Sequence, residues 1–149
     1  MAASGELKLR PALLEDRELL FIWRNDPFTR EMSHTTTEIT RDDHNSWFEK
    51  TLNDPARRIY IAEESGEAVG TVRTEMKDGK CLLSWAVSPQ ARGKGVGKRM
   101  VALLVDSVKE AIVAEVKKEN VASARIAEYA GLKLEREENG VFFYCRGPK

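Results

Sequence analysis

The residues Val87-Ser88-Pro89-Gln90-Ala91-Arg92-Gly93-Lys94-Gly95-Val96-Gly97-Lys98 form a basic loop with glycine at three alternate positions, set between an apolar strand pattern and an amphipathic helix. Glycine admits positive φ and lets backbone approach a ligand closely. A helix start aims unpaired N–H groups and a positive dipole end at whatever lies before it. Arg92, Lys94 and Lys98 add formal charge, so the chemistry this stretch favours is binding of a phosphate or pyrophosphate. Spacing narrows the choice. A phosphate loop ending Gly-Lys-Ser/Thr fails, because Arg99 follows Gly97-Lys98 and position 92 is not glycine. A dinucleotide fingerprint fits poorly, because the glycines run Gly-x-Gly-x-Gly. What remains is Arg-x-x-Gly-x-Gly, Arg92 to Gly97, after a strand ending Val87-Ser88-Pro89.

A second motif, Asn120-Val121-Ala122-Ser123-Ala124-Arg125-Ile126-Ala127-Glu128-Tyr129-Ala130-Gly131-Leu132, opens with a helix-capping asparagine and closes on glycine. Together the two motifs resemble the acetyl-coenzyme A site of the GNAT N-acetyltransferase superfamily. The Asn-Val-Ala-Ser version is similar to ribosomal-protein N-terminal acetyltransferases. The resemblance implies that Val87, Arg92, Gly93, Lys94, Gly95, Val96, Gly97 and Lys98 bind acetyl-CoA as cosubstrate, that the Val87 N–H polarises the thioester carbonyl, and that Asn120 contacts the pantetheine arm. Many members carry a tyrosine seven residues after this asparagine as general acid, where this chain has Ala127. Tyr129 is no substitute, since two residues turn a helical side chain by about 200°. Ser123, on nearly the same face as Ala127, is placed near the sulfur by the same likeness, unless it only satisfies local backbone.

Acetyl transfer to an amine needs a neutral nucleophile, a polarised carbonyl and a proton for the thiolate. Glu115, five residues before Asn120, is the candidate base by resemblance, with Glu75 as rival and an exposed structural glutamate as the plain alternative. His34 and His44 flank a polar stretch and could bind substrate or relay a proton. On the acceptor side, Trp23, Arg24, Asn25, Arg30, His44 and Trp47 resemble the pattern of acetyltransferases acting on nucleotide-linked amino sugars, such as those of the pseudaminic acid pathway. Arginines can grip a diphosphate and tryptophans can stack on a sugar or base, although Trp23, Trp47 and Phe48 at helical spacing also suit a core.

The elements that must position these groups follow from periodicity. Glu6 to Arg10 alternates as a strand broken by Pro11, and residues 14–25 form an amphipathic helix stopped near Asp26-Pro27. Phe28 to Arg41 is a polar loop, and residues 42–53 are a second helix. The period then becomes two. Arg58–Glu63, Ala68–Met76 and Lys80–Val87 make an antiparallel meander turned at Ser65-Gly66 and Asp78-Gly79. A helix over 98–110, a strand over 111–116, a helix over 122–130 and strands over 132–137 and 141–146 complete the order. This predicts one α+β domain over residues 1–149, a GNAT-like mixed central sheet flanked by about four helices.

Composition bounds the function. In 149 residues, Lys plus Arg and Asp plus Glu are each 24, so no global field recruits nucleic acid or membrane. Cys81 and Cys145 lie in strand patterns without metal-ligand spacing, which predicts no metal site and buried thiols in a reducing compartment. The longest apolar run, Met100 to Val105, is far short of the ~20 residues of a membrane span, and residues 1–10 lack a secretory segment. The expectation is a cytoplasmic N-acetyltransferase, monomer or homodimer, acting on a small-molecule amine, with an amino-sugar nucleotide favoured. The alternatives are a protein N-terminal or small amine as acceptor, a non-catalytic acyl-CoA-binding module, and, more distantly, a nucleic-acid binder.

Overall fold

The computed structural model describes residues 6–149. Residues 1–5, part of the stretch read above as lacking a secretory segment, lie outside the described residues. Seven strands form one sheet: β1 (Leu7–Pro11), β2 (Arg57–Glu64), β3 (Glu67–Lys77), β4 (Lys80–Val87), β5 (Ala111–Lys117), β6 (Lys133–Glu138) and β7 (Val141–Arg146). Their spatial order is β1-β2-β3-β4-β5-β7-β6. All neighbours are antiparallel except β4 and β5. The three tight hairpins turn at Ser65-Gly66, Asp78-Gly79 and Asn139-Gly140, with both central residues of each at positive φ, the geometry that matches strand twist. The edge strand β6 is exposed throughout and reads Lys-Leu-Glu-Arg-Glu-Glu, charge that discourages pairing with another chain.

Among the described residues five α-helices accompany the sheet, one more than the four read from periodicity: α1 (Arg17–Arg24), α2 (Pro27–Glu31), α3 (Arg41–Leu52), α4 (Val96–Ser107) and α5 (Val121–Tyr129). The unexpected one is α2. Asp26-Pro27, read above as a stop, also starts a helix: the Asp26 carboxylate accepts the Thr29 N–H at 3.0 Å and Pro27 takes the first helical position, where its missing N–H costs nothing. The polar loop therefore shrinks to residues 32–40. Pro11 ends β1 within the ladder, opposite Tyr60, rather than breaking the strand before it. Among the described residues no helix is long and apolar enough to cross a membrane.

Two cores hold the sheet. Val96, Met100, Val101, Leu104 and Val105 of α4 pack with Val72, Cys81, Leu83, Ile112 and Ala114, each buried aliphatic contributing roughly 1.5–3 kcal/mol. Leu20 and Trp23 of α1 and Phe48 of α3 pack with Ile59 and Ile61 of β2 to form the second. Cys81 is buried, whereas Cys145 is only half-buried, so the expectation of two buried thiols holds for the first alone. The helices α4 and α5 meet through Gly97, where a Cβ would collide with the Ile126 side chain. In this chain Gly97 serves helix packing.

A bidentate ion pair fixes the first helix to the edge of the sheet. Arg10 on β1 donates to both oxygens of buried Asp16 at 2.7 and 2.9 Å, Asp16 also accepts the Leu13 N–H at 2.7 Å, and the Arg10 Nε donates to Glu63 on β2 at 3.0 Å. The Arg10 hydrogen bonds hold the Asp16 carboxyl below the usual carboxylate range. Its contribution to stability is therefore complete above the ordinary pKa near ~4 and is lost as pH falls below it. Asp16→Ala is expected to cost about 2 kcal/mol, less than the ~3–5 kcal/mol of a fully buried pair because Arg10 still reaches water. Chemical denaturation at pH 7 measures this, and a loss under ~0.5 kcal/mol would show that the pair is not a structural tie.

Candidate functional site

The strands β4 and β5 pair only where Lys80–Leu82 meets Ala111–Val113. Beyond these residues they part, and β4 turns outward into the glycine loop. The Ser88 N–H bonds the Val69 carbonyl at 2.9 Å, and Gly70 lies opposite Val87. By the alternation of an antiparallel ladder, the Val87 N–H points the other way, towards the gap that β5 has left.

A cavity of about 540 Å³ lies at this end of β4. Its walls come from Trp85–Val87, the loop, the first turns of α4 and α5, and α2 with the residues after it. Gly93 and Gly95 have φ of +80° and +75°, conformations that tilt successive peptide N–H groups in the loop, and Gly95 starts α4. The first intrahelical bond of α4 is that from the Arg99 N–H to the Gly95 carbonyl. The N–H groups of Val96, Gly97 and Lys98 thus have no helical carbonyl to bond. They, and the Lys98 side chain, are positive elements suited to a pyrophosphate. A cavity of this size with such a wall fits the phosphate-bearing half of coenzyme A.

The other residues assigned to coenzyme binding divide. Arg92 lines the cavity, but its guanidinium donates to Asp26 at 2.5 Å and Thr29 Oγ1 at 3.1 Å and lies over Phe28, so it ties the loop to α2. Its charge is already matched. Lys94 is exposed at the loop tip and does not line the cavity. Asn120 caps α5, its carboxamide oxygen accepting the Ser123 N–H at 3.1 Å, and it also lines the cavity. Ser123 Oγ accepts a hydrogen bond from Trp85 Nε1 at 3.2 Å, so its role extends beyond the local backbone. Ala127 is buried, whereas Tyr129 is exposed beneath Lys98 on another face of the helix.

A second cavity, about 360 Å³, adjoins along the same strand: Leu82–Ser84 line it where Trp85–Val87 line the first. Glu115 on β5 and Glu75 on β3 both face it, with Trp47 and Arg73. The rival bases thus share one chamber. His34, from the polar loop, reaches Glu115 with Nε2 to Oε1 at 3.2 Å, and both are substantially exposed. Glu75 is engaged by Arg57, 3.8 Å away. Arg73 carries no motif that marks it as a site residue; its strand pattern shows only a polar position in an alternating run.

Several residues assigned to acceptor binding prove to be structural. Trp23 is buried in the second core. Asn25 donates to the Ile39 carbonyl at 2.9 Å and accepts the Ile39 N–H at 2.8 Å, clamping the polar loop. Arg30 sits half-buried on α2 outside both cavity walls. Of the six, Trp47 lines the second cavity and Arg24 stacks on it, its guanidinium carbon 4.2 Å from the ring centroid.

The acetyltransferase (GNAT) domain profile matches residues 6–133. No curated protein matches the chain significantly in sequence. Among solved structures, a domain from Methanocaldococcus jannaschii is similar with a TM-score of 0.84 and 20% identity, covering 95% of this chain and 98% of that one. The aminoglycoside acetyltransferase AAC(6')-Ib in complex with coenzyme A is similar with a TM-score of 0.80 and 19% identity, covering 95% of each chain. Spermidine N-acetyltransferase from Vibrio cholerae, in complex with CoA and spermine, gives 0.79 and 16%, covering 93% of this chain and 92% of the other. At these identities the likeness is one of fold.

His44 is a correction with a consequence for stability. It is fully buried between α1 and α3 and does not face either cavity. Arg24 donates to its Nδ1 at 3.0 Å; guanidinium has no acceptor, so this bonding assigns the ring proton to Nε2, which donates to the Arg17 carbonyl at 2.9 Å. Burial, and to a lesser degree the charge of Arg24, push the imidazole pKa down. A histidine buried neutral contributes stability that is complete above its unfolded pKa of ~6.5 and is lost as pH falls from there towards the lowered folded value. Between pH 7.5 and 5.5 the melting temperature is expected to fall more steeply in the unmodified protein than in His44→Gln; parallel curves would mean that His44 is not the titrating group.

Proposed function

The chain belongs to the GNAT acetyltransferase family and is an N-acetyltransferase that uses acetyl-CoA, and from that premise we propose that the donor occupies the cavity at the end of β4 while a small amine enters the chamber next to it. The observation that carries this reading is that one strand lines both cavities, with the gap beside it. The pyrophosphate rests against the N–H groups of the loop and of Val96, Gly97 and Lys98, with the Lys98 side chain at the wall and Lys94 adding charge from outside. Asn120 spends its oxygen on the helix cap, which leaves its amide N–H groups for the pantetheine arm.

The chain's residues then divide the work. Glu115 takes a proton from the acceptor ammonium, directly or through water, and so frees the nitrogen lone pair. The Val87 N–H, aimed into the gap, hydrogen-bonds the oxygen of the carbonyl as the nitrogen–carbon bond forms and charge develops on it. When the carbon–sulfur bond breaks, the thiolate needs a proton donor close by. Ser123 is placed for this: Trp85 supplies one hydrogen bond to Oγ, so the hydroxyl proton remains to be donated. Trp85 is a positioning residue. For the acceptor we favour the amino group of a nucleotide-linked amino sugar, supported now by Arg24 and Trp47, since Trp23, Asn25 and His44 are used inside the fold.

Two variants test the assignment. At Gly95 a Cβ would meet nothing within 4 Å, and aspartate tolerates left-handed backbone better than most residues, so Gly95→Asp should fold. It places a carboxylate where the pyrophosphate is expected, and titration calorimetry should find acetyl-CoA binding lost; retained micromolar affinity would remove the loop from the donor site. Glu115→Gln should lower turnover about 10²-fold at neutral pH, measured as thiol release with a panel of amines, while donor affinity stays unchanged. An unaltered rate would transfer the role of base to Glu75, with Glu75→Gln as the matching comparison.

A further inference from the structure

Two guanidinium groups lie against the Trp47 ring, neither of them paired with a carboxylate among the described residues. The Arg24 carbon lies 4.2 Å and the Arg73 carbon 5.2 Å from the centroid of the Trp47 ring. Among the other partly buried arginines, Arg10, Arg57, Arg92 and Arg99 meet carboxylates and Arg146 donates to the carbonyls of Val105, Val108 and Glu110, while Arg30, on α2 outside both cavity walls, keeps a buried Nε without a hydrogen-bond partner among the described residues. Arg24 donates only to the neutral His44 ring, and Arg73 has no ion pair or hydrogen bond among the described residues. Glu75, two residues along the same strand face, is turned to Arg57.

We infer that the acceptor amine carries an anionic group, a carboxylate or a phosphate, which binds at Arg73 on the wall of the second cavity, beside Trp47 and within the field of Arg24. The inference rests on the reading of that cavity as the acceptor site. A pair of like charges set against an aromatic ring, short of a counterion, gains from an anion what Arg10 gains from Asp16, and a planar guanidinium is suited to both carboxylate and phosphate. The Arg24 pKa is pulled down to about 10, first by burial and then by the charge of Arg73, and burial lowers that of Arg73 too. A bound anion favours the charged form of both groups and offsets the repulsion between them.

Register places the amine relative to the anion. Arg73 lies opposite Ser84, and Glu75 opposite Leu82. Leu82 pairs with Val113, so Ser84 and Glu115 stand one step further along the same face. A row Arg73, Ser84, Glu115 thus crosses three strands, at least about 10 Å between its outer Cα atoms at ~4.8 Å per paired strand, and more because β4 and β5 part there. With an arginine side chain reaching inward from one end and a glutamate from the other, the row accommodates an acceptor that sets an anionic group within this span of its amine. A polycation such as spermine would place a second ammonium beside two guanidinium groups.

The test compares matched amines by thiol release: glucosamine 6-phosphate against glucosamine, L-phenylalanine against its amide, and spermine. The anionic member of at least one pair is expected to have a kcat/KM at least ~10-fold above its uncharged partner, the responsive pair distinguishing phosphate from carboxylate, and spermine should be poor. Arg73→Gln and Arg24→Gln should erase that preference by raising KM for the anionic amine ~10- to 100-fold, with KM for acetyl-CoA unchanged in both and the melting temperature unchanged in Arg73→Gln. Equal rates within both pairs, or variants that weaken charged and uncharged amines alike, would overturn the inference while leaving the acetyltransferase reading intact. Should no amine release thiol, titration with glucosamine 6-phosphate and with inorganic phosphate, followed by Trp47 fluorescence against a Trp47→Phe control, still decides. Quenching that disappears in Arg73→Gln upholds the anion site and moves the failure to the catalytic reading, and absence of Arg73-dependent binding overturns the inference.

Discussion

The separation of β4 from β5 beyond Leu82 and Val113 is the constraint on which the rest of this molecule depends. Two parallel strands that part leave backbone donors and acceptors without ladder partners, a costly state in an interior. Here it persists because the surroundings over-determine it. β4 is held on its other side by eight paired positions with β3, and β5 by six with β7. The apolar face of α4 presses on both strands from one side, with Val101 and Leu104 in the same core as Leu83 and Ile112. At the open end α2 bridges the parted strands. Arg92, just after β4, pairs with Asp26, while Lys117, at the end of β5, donates to the Glu31 carbonyl at 2.9 Å. A five-residue helix with no buried residue of its own thus earns its place through its two tethers.

Much of this fold was legible in the sequence because its signals are local. The strand Lys80–Val87 and the final strand Val141–Arg146 have the boundaries that alternation gives, and the hairpins fall where Ser-Gly, Asp-Gly and Asn-Gly predict. The short helix α2 escaped because Asp-Pro carries two meanings, the end of one helix and the cap and first residue of another, and Phe28–Glu31 has no periodicity to separate them. Side-chain roles were less legible for a different reason. Trp23, Asn25 and His44 have the residue types of a binding site, but a tryptophan in a core, an asparagine clamping a loop and a histidine between helices use the same chemistry inward. Arg73 shows the converse. In Thr-Val-Arg-Thr-Glu it is one polar position in an alternating strand, and its meaning comes from Trp47, 26 positions earlier, which only the packing of α3 against the sheet brings over it.

The acetyltransferase chemistry and the acceptor inference meet in how charge is distributed. With 24 basic and 24 acidic residues, the chain has no net field to concentrate ligands, so recognition must come from local imbalance. Local imbalance is informative where burial makes it expensive, and the chain pairs most of its partly buried arginines. Arg92 is a case in point: a cation lining the donor cavity, yet committed to Asp26. What is left unpaired near the gap is then specific. On the donor side it is a set of backbone N–H groups with Lys98, and on the acceptor side the two arginines around Trp47. Glu75 and Glu115, the groups suited to an ammonium that must lose its proton, line the acceptor cavity with Arg73: by register Glu115 stands level with Arg73, and Glu75 is one step further from Val87. On the proposed reading, unpaired N–H groups at the end of β4 suit an anionic donor, and guanidinium groups set across the sheet from a carboxylate suit an acceptor that carries an anion as well as its amine. On that reading an acceptor made only of ammonium groups is disfavoured, because it would bring a second cation to the two guanidinium groups at Trp47.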